Sequence, residues 1–197
     1  MRLGILGGTF NPPHLGHLVC AQEAAVQLEL DAVWLMPVAT PPHKAASADP
    51  GAAGRIEMCR LATAGDERLA VSTREVDRGG SSYTVDTLRD IHAAEPEHEL
   101  TFIVGGDQAN GFPGWRDPET VLSLAALAVA EREGARREDI ADRLAPLHGG
   151  DRVRFFDMPR IDISSSAVRR RVREGRPIRY LVPDDVARLI GAEGWYR

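Results

Sequence analysis

Apolar residues fall along this chain in two recurring patterns. Short, nearly continuous apolar runs occur at residues 2–6, 32–37, 69–72, 100–104, 124–130 and 152–156. Several do not alternate with polar residues, which predicts strands covered on both faces, as in a parallel sheet. Between the runs, apolar residues recur every three or four positions and predict amphipathic helices. Residues 17–28 place Leu18, Ala21, Ala25 and Leu28 on one stripe, and residues 55–64 do the same with Ile56, Cys59 and Ala62 or Thr63. Ser82 is expected to cap a helix that turns Val85, Leu88 and Ile91 inward. Further helices are expected at 137–144, from Ser164 or Ser165 through Val172, and at 183–190, with Gly191 at the end of the last.

This alternation predicts an α/β, Rossmann-like fold: one domain over residues 1–197, with an open, mostly parallel sheet covered by helices on both faces. No internal repeat or linker divides the chain. Residues 40–53, polar and rich in proline and small side chains, read as a mobile loop, and residues 105–118 as a second irregular stretch. Ligands bind such sheets beyond the carboxyl ends of the strands. The chemistry is therefore expected just after Leu6, Pro37, Val104 and Phe156.

Composition narrows the function. Hydrophobic residues make up 43% of the chain and charged residues 27%, enough to fill a core. Lys and Arg number 24 against 29 Asp and Glu, a formal charge of -5, which disfavours general nucleic-acid binding but allows a local basic pocket. No segment approaches the roughly 20 apolar residues of a membrane span. The N-terminal apolar run is too short for a signal peptide, and glycines interrupt it. Cys20 and Cys59 read as buried thiols in a reducing compartment, so a cytoplasmic location is expected.

The first strand runs into Gly7-Gly8-Thr9-Phe10-Asn11-Pro12-Pro13-His14-Leu15-Gly16-His17. Paired glycines at a strand end let backbone approach a ligand closely. The loop matches neither the GxGxxG dinucleotide fingerprint nor GxxxxGK[ST]. His14 and His17 bracket a helix start, whose unpaired N–H groups favour anions. Two imidazoles there can donate to phosphate oxygens, more strongly if protonated, with Gly16 leaving room for the phosphate. Half of a metal site and a simple helix cap are the other readings of HxxH, although zinc would need further ligands.

This loop resembles the first signature of the nucleotidylyltransferase superfamily, (T/H)xGH. Ile163-Ser164-Ser165-Ser166-Ala167-Val168-Arg169 resembles its second, ISSTxIR, in the expected order about 150 residues later. The run Ser81-Ser82-Tyr83-Thr84-Val85-Asp86-Thr87-Leu88, and Gly105-Gly106-Asp107 followed by Trp115, resemble internal motifs of the bacterial nicotinate-nucleotide adenylyltransferases. The likeness spans nearly the whole chain. It departs at Asn11, where the family usually has Asp, and at Ser166, where it usually has Thr.

The resemblance implies transfer of adenylyl from ATP to nicotinate mononucleotide, giving deamido-NAD and pyrophosphate in NAD biosynthesis. His14, His17, Lys44 and Arg169 would act on the reacting phosphates. ATP would lie against Gly7, Gly8, Thr9, Phe10, His14, His17, Gly105, Asp107, Ile163, Ser164, Ser165 and Arg169, with Asp107 accepting from its ribose. The mononucleotide would meet Asn11, Lys44, Tyr83, Thr84, Trp115 and Arg132, with Trp115 stacking on the pyridine ring. Mg²⁺ would be carried mainly by ATP phosphates, with no protein metal site. Arg55 is expected to serve phosphate or only the surface. Neither nucleic acid nor membrane is an expected partner, and a homodimer is compatible with this reading. Dual or nicotinamide mononucleotide specificity, or a non-catalytic nucleotide-binding module, are the alternatives.

Overall fold

The structure is a computed structural model that describes residues 1–40, 49–131 and 134–197. Among the described residues, six strands form one sheet: β1 (Arg2–Gly8), β2 (Ala32–Pro37), β3 (Leu69–Val71), β4 (Glu99–Gly105), β5 (Ala125–Ala130) and β6 (Val153–Phe156). Their order is β3-β2-β1-β4-β5-β6, and every adjacent pair is parallel. The order reverses between β1 and β4, which opens a crevice beyond their carboxyl ends.

The helices are α1 (Leu15–Gln27), α2 (Gly51–Thr63), α3 (Arg74–Arg78), α4 (Thr84–Ala94), α5 (Gly106–Gly111), α6 (Pro118–Leu124), α7 (Gly134–Leu144), α8 (Ser165–Arg173) and α9 (Asp184–Glu193). They cover both sheet faces, which explains the continuous apolar runs. On one face Leu3, Ile5, Met36, Phe102, Val104 and Leu127 pack against Val85, Leu88 and Ile91 of α4 and Ile140 of α7. On the other, Leu6, Val33, Leu35, Ile103, Ala128 and Phe156 pack against Ala21, Ala24 and Ala25 of α1 and Cys59 of α2. The central strands β1, β2, β4 and β5 are thus buried on both sides, while Ala70 of the edge strand β3 and Arg154 of the edge strand β6 are exposed. Among the described residues, no helix is long and apolar enough to cross a membrane.

A third cluster lies outside α2. Met58 on the outward side of α2 meets Val168 of α8, Val182, Val186 and Ile190 of α9, and Tyr196. This layer carries the second signature toward the crevice.

Several boundaries differ from the sequence reading. Helix α2 begins at Gly51, inside the stretch read as a loop, and α5 and α6 occupy part of residues 105–118. At five to seven residues, α3, α5 and α6 are too short for a helical period to stand out. Ser82 does not cap α4. Tyr83 is the extended N-cap residue, and the Ser82 hydroxyl accepts the Ala39 N–H at 3.0 Å, tying β2 to α4. The last helix passes through Gly191 and stops at Gly194, whose φ of 65° gives the left-handed turn that glycine adopts without a Cβ clash.

Candidate active site

A cleft of about 690 Å³ opens at the switch between β1 and β4. Its walls come from segments far apart in sequence: the first glycine loop and α1, the start of α5, the end of β5, and the start of α8. Gly7, Gly8, Thr9, Phe10, Asn11, His14, His17, Gly105, Asp107, Ile163, Ser164, Ser165 and Arg169 all line it.

The histidines are fixed by their own loop. Their rings stack with centroids 3.7 Å apart, and the Phe10 ring meets His17 edge-on at 5.0 Å. Phe10 is 2% exposed, and its φ of 49° is an uncommon conformation for a bulky residue. The main-chain N–H of His14 donates to His17 Nδ1 at 3.1 Å. In the neutral ring this leaves the proton on Nε2, so His17 can donate one hydrogen bond from that side. Burial pushes the His14 pKa down to about 4. Burial, and then the neighbouring His14, push His17 down to about 3. Both imidazoles are therefore neutral in the unliganded protein at neutral pH, so donation by charged rings, the stronger case, does not describe its resting state.

Gly16 lines the cleft and also sits tightly against His14. A Cβ at this position would lie 3.1 Å from His14 Nδ1 and 3.2 Å from its Cε1. The missing side chain makes room for the His14 ring. The start of α1 also offers fewer donors than the sequence suggested, because the Leu15 N–H is taken by the Leu181 carbonyl at 3.0 Å.

The second signature is pinned directly to the first loop. Arg169 Nη1 donates to the Asn11 carbonyl at 2.7 Å, and Nη2 donates to the Ser166 hydroxyl at 3.1 Å. Ser165 donates its hydroxyl to the Pro12 carbonyl at 2.8 Å. Ser164 caps α8 by accepting the Ala167 N–H at 3.2 Å. The serine side chains thus hold the scaffold. What α8 turns toward the cleft is its helix start and the edge of the half-buried Arg169. Of the other arginines in the run, Arg170 and Arg173 are exposed, and Arg171 donates to the Pro177 carbonyl at 2.9 Å.

Arg55 serves neither phosphate nor surface. It is 1% exposed and donates to the carbonyls of Thr9 at 3.1 Å, Val38 at 2.8 Å and Ala39 at 3.1 Å, and to Asp49 at 3.2 Å. A guanidinium can satisfy several acceptors at once in a fixed fork. Here it clamps the loops after β1 and β2 together. Its position at an expected helix start suggested exposure, and no local pattern marked it as buried.

On the far side of the cleft, Asp107 is exposed in the first turn of α5 and Gly105 is the N-cap. Arg136 of α7 donates to Asp107 at 2.9 Å and approaches the buried Glu131 carboxylate at 3.9 Å. A Cβ on Gly106 would lie 2.1 Å from a Glu131 oxygen, so a side chain there would have to displace the Glu131 carboxylate. Sequence reasoning missed Glu131, Arg136 and Gln108. The position of Glu131 just after a strand end was the available signal; Arg136 lies in a segment with little family likeness.

Tyr83, Thr84 and Trp115 do not line this cleft. The Tyr83 ring is 38% exposed, with the Arg116 guanidinium 4.6 Å from its centroid. Trp115 is half-buried against Phe102, at 6.0 Å, and Phe112, at 5.1 Å. A Cβ on Gly7 would touch that same Phe102 ring at 3.2 Å, so the Trp115 region adjoins the cleft through the end of β1. Lys44 and Arg132 lie outside the described residues. Both cysteines are buried and free, and burial raises each thiol to about 12.

Known proteins resemble this chain over nearly its whole length. A cytidylyltransferase-like family model matches residues 5–171. A probable nicotinate-nucleotide adenylyltransferase of Shouchella clausii is 39% identical over 195 residues, covering 99% of this chain and 96% of the relative. One from Corynebacterium kroppenstedtii is 44% identical over 195 residues, covering 99% and 90%. In fold, a Plasmodium falciparum nicotinic acid mononucleotide adenylyltransferase complexed with NaAD aligns with a TM-score of 0.80 at 17% identity, covering 99% of this chain and 97% of its own. The chain belongs to the nicotinate-nucleotide adenylyltransferase family, within the cytidylyltransferase-like nucleotidyltransferases.

Proposed function

We propose that this protein transfers the adenylyl group of ATP to nicotinate mononucleotide, releasing deamido-NAD and pyrophosphate. One observation carries the reading: the histidine loop and the start of α8, distant in the chain, meet through the Arg169 and Ser165 hydrogen bonds, which join residues 158 and 153 positions apart on the wall of one cleft. Relatives covering nearly the whole chain carry the name of that activity.

The chemistry needs no protein nucleophile. An oxygen of the mononucleotide phosphate attacks the α-phosphorus of ATP. The bond from that phosphorus to the bridging oxygen breaks, and pyrophosphate leaves with the electron pair. A phosphate monoester has a second pKa of about 6, so it is mostly dianionic at neutral pH and requires no general base. The remaining problem is charge, which is met by positioning and preorganised donors. His17 donates from Nε2 to the α-phosphate, and His14 acts beside it on the polyphosphate. Arg169 and the start of α8 face the phosphates from the opposite side, and Lys44 follows the leaving group. Asp107 accepts from the ATP ribose. Thr84, Tyr83, Asn11, Trp115 and Arg132 receive the mononucleotide.

Mg²⁺ would be carried mainly on the phosphates of the substrate. Among the described residues, no group of three His, Cys, Asp or Glu could hold a metal, and the carboxylates lining the cleft, Asp107 and Glu131, both face Arg136. Bound through phosphate oxygens and water, the ion would neutralise charge on the triphosphate.

The test is pyrophosphate release from ATP and Mg²⁺ with either mononucleotide. The acid should give a kcat/KM at least about ten-fold above the amide, the scale of one charge-assisted hydrogen bond. Equal or better use of the amide would overturn the acid preference, and no release with either would favour a binding module.

A further inference from the structure

Tyr196, 185 residues after Asn11 in the chain, reaches back to the histidine loop. Tyr196 is 5% exposed, and its hydroxyl donates to Asn11 Oδ1 at 2.5 Å. Asn11, itself 2% exposed, is held at its carbonyl by Arg169. One residue of the first loop is therefore gripped twice, by α8 on the main chain and by the penultimate residue on the side chain. The docking of the tail is specific. The Trp195 ring lies over α2 at Gly54, where a Cβ would come within 2.9 Å of it. Tyr196 then packs beside Met58, with a φ of 67° that places a non-glycine residue in the left-handed region. Such an outlier persists only where its surroundings over-determine it, and it points to a role. Burial, more than any neighbouring charge, keeps the phenol protonated and thus a donor.

We propose that Tyr196 is a positioning residue for adenylyl transfer, holding the Asn11 side chain so that the loop presents His14 and His17 at the geometry the reaction needs. The hydroxyl touches no reacting atom. It acts through Asn11, three residues before His14. The pairing also accounts for the departure at Asn11: an amide oxygen accepts from a phenol as a carboxylate oxygen would, so the grip survives loss of the charge.

This proposal rests on the adenylyl-transfer reading, and its test separates the two. Tyr196→Phe keeps the ring and removes the hydroxyl. Its kcat should fall about ten-fold, the rate equivalent of one hydrogen bond, while KM for ATP changes less than about two-fold at a temperature far below unfolding. In a double-mutant cycle, adding Tyr196→Phe to Asn11→Ala should cost little further. A merely structural tyrosine would lower the unfolding temperature without this kcat effect or this coupling. If the wild type releases no pyrophosphate with either mononucleotide, the functional reading fails, and the proposal is judged by the His14 and His17 imidazole NMR resonances, which Tyr196→Phe must shift. Wild-type kcat in the variant, or unshifted resonances in that second case, would overturn it.

Discussion

The two halves of the site are built differently. The half assigned to polyphosphate is a convergence of polar atoms: Arg169, Ser165, Tyr196 and Arg55 each hold a main-chain or side-chain oxygen between Thr9 and Pro12. The half assigned to the mononucleotide is made of aromatic surface and a helix start, with Trp115 leaning on Phe102 and Phe112, and Tyr83 under Arg116. A transferring phosphoryl group demands donors fixed in advance, because charge shifts within a fraction of an ångström. A flat ring demands area and tolerates imprecision. The first half should therefore fail in turnover, and the second in substrate affinity.

Four changes sharpen or break this contrast. His17→Ala should lower kcat about 1,000-fold, the cost of removing a preorganised donor, with the unfolding temperature little changed. Near-normal turnover would remove His17 from the transition state. Arg55→Leu strands three carbonyls and Asp49 without their buried partner, so it should destabilise the fold by about 3–5 kcal/mol, or about 10 °C in thermal unfolding. A loss below about 1 kcal/mol would mean that the loops after β1 and β2 stand without the clamp. Trp115→Ala should raise KM for the mononucleotide about ten-fold and leave KM for ATP within about two-fold. A matching rise for ATP would erase the division between the halves.

The smallest effect is a pH dependence of stability. The folded pKa values of His14 and His17, about 4 and about 3, lie below the ordinary imidazole value of 6.5. The unfolded chain therefore binds more protons in the interval between. Stability from this source is present above pH 6.5 and is lost as pH falls toward 4. The loss from pH 6.5 to 5 should be on the order of 1 kcal/mol per histidine. Chemical denaturation at the two pH values checks it, and His14→Gln should flatten the slope. An unchanged slope in that variant would place the acid sensitivity elsewhere.

The sequence exposed these regions unequally for physical reasons. Covered parallel strands leave apolar runs that are visible at once, and a helix as regular as α4 shows its buried Val85, Leu88 and Ile91 by spacing alone. Strand order was not legible, because pairing β1 with β4 depends on contacts nearly 100 residues apart. The cleft residues of the two signatures were readable because they resemble those of a known superfamily; residue types alone left the two histidines open between phosphate, metal and helix cap. Arg55, Glu131, Arg136 and the hydroxyl of Tyr196 were not readable, because each acquires its role only when distant segments fold against it. Gly16 shows the same limit: its closeness to the His14 ring, two residues before it, could not be read from the signature.

The central claim is that polyphosphate settles between the histidine loop and the start of α8. A crystal structure with Mg²⁺ and a non-hydrolysable ATP analogue tests it most directly. The account predicts the α-phosphate within hydrogen-bonding reach of His17 Nε2, with phosphate oxygens facing the first turn of α8. Triphosphate bound away from both segments would contradict it.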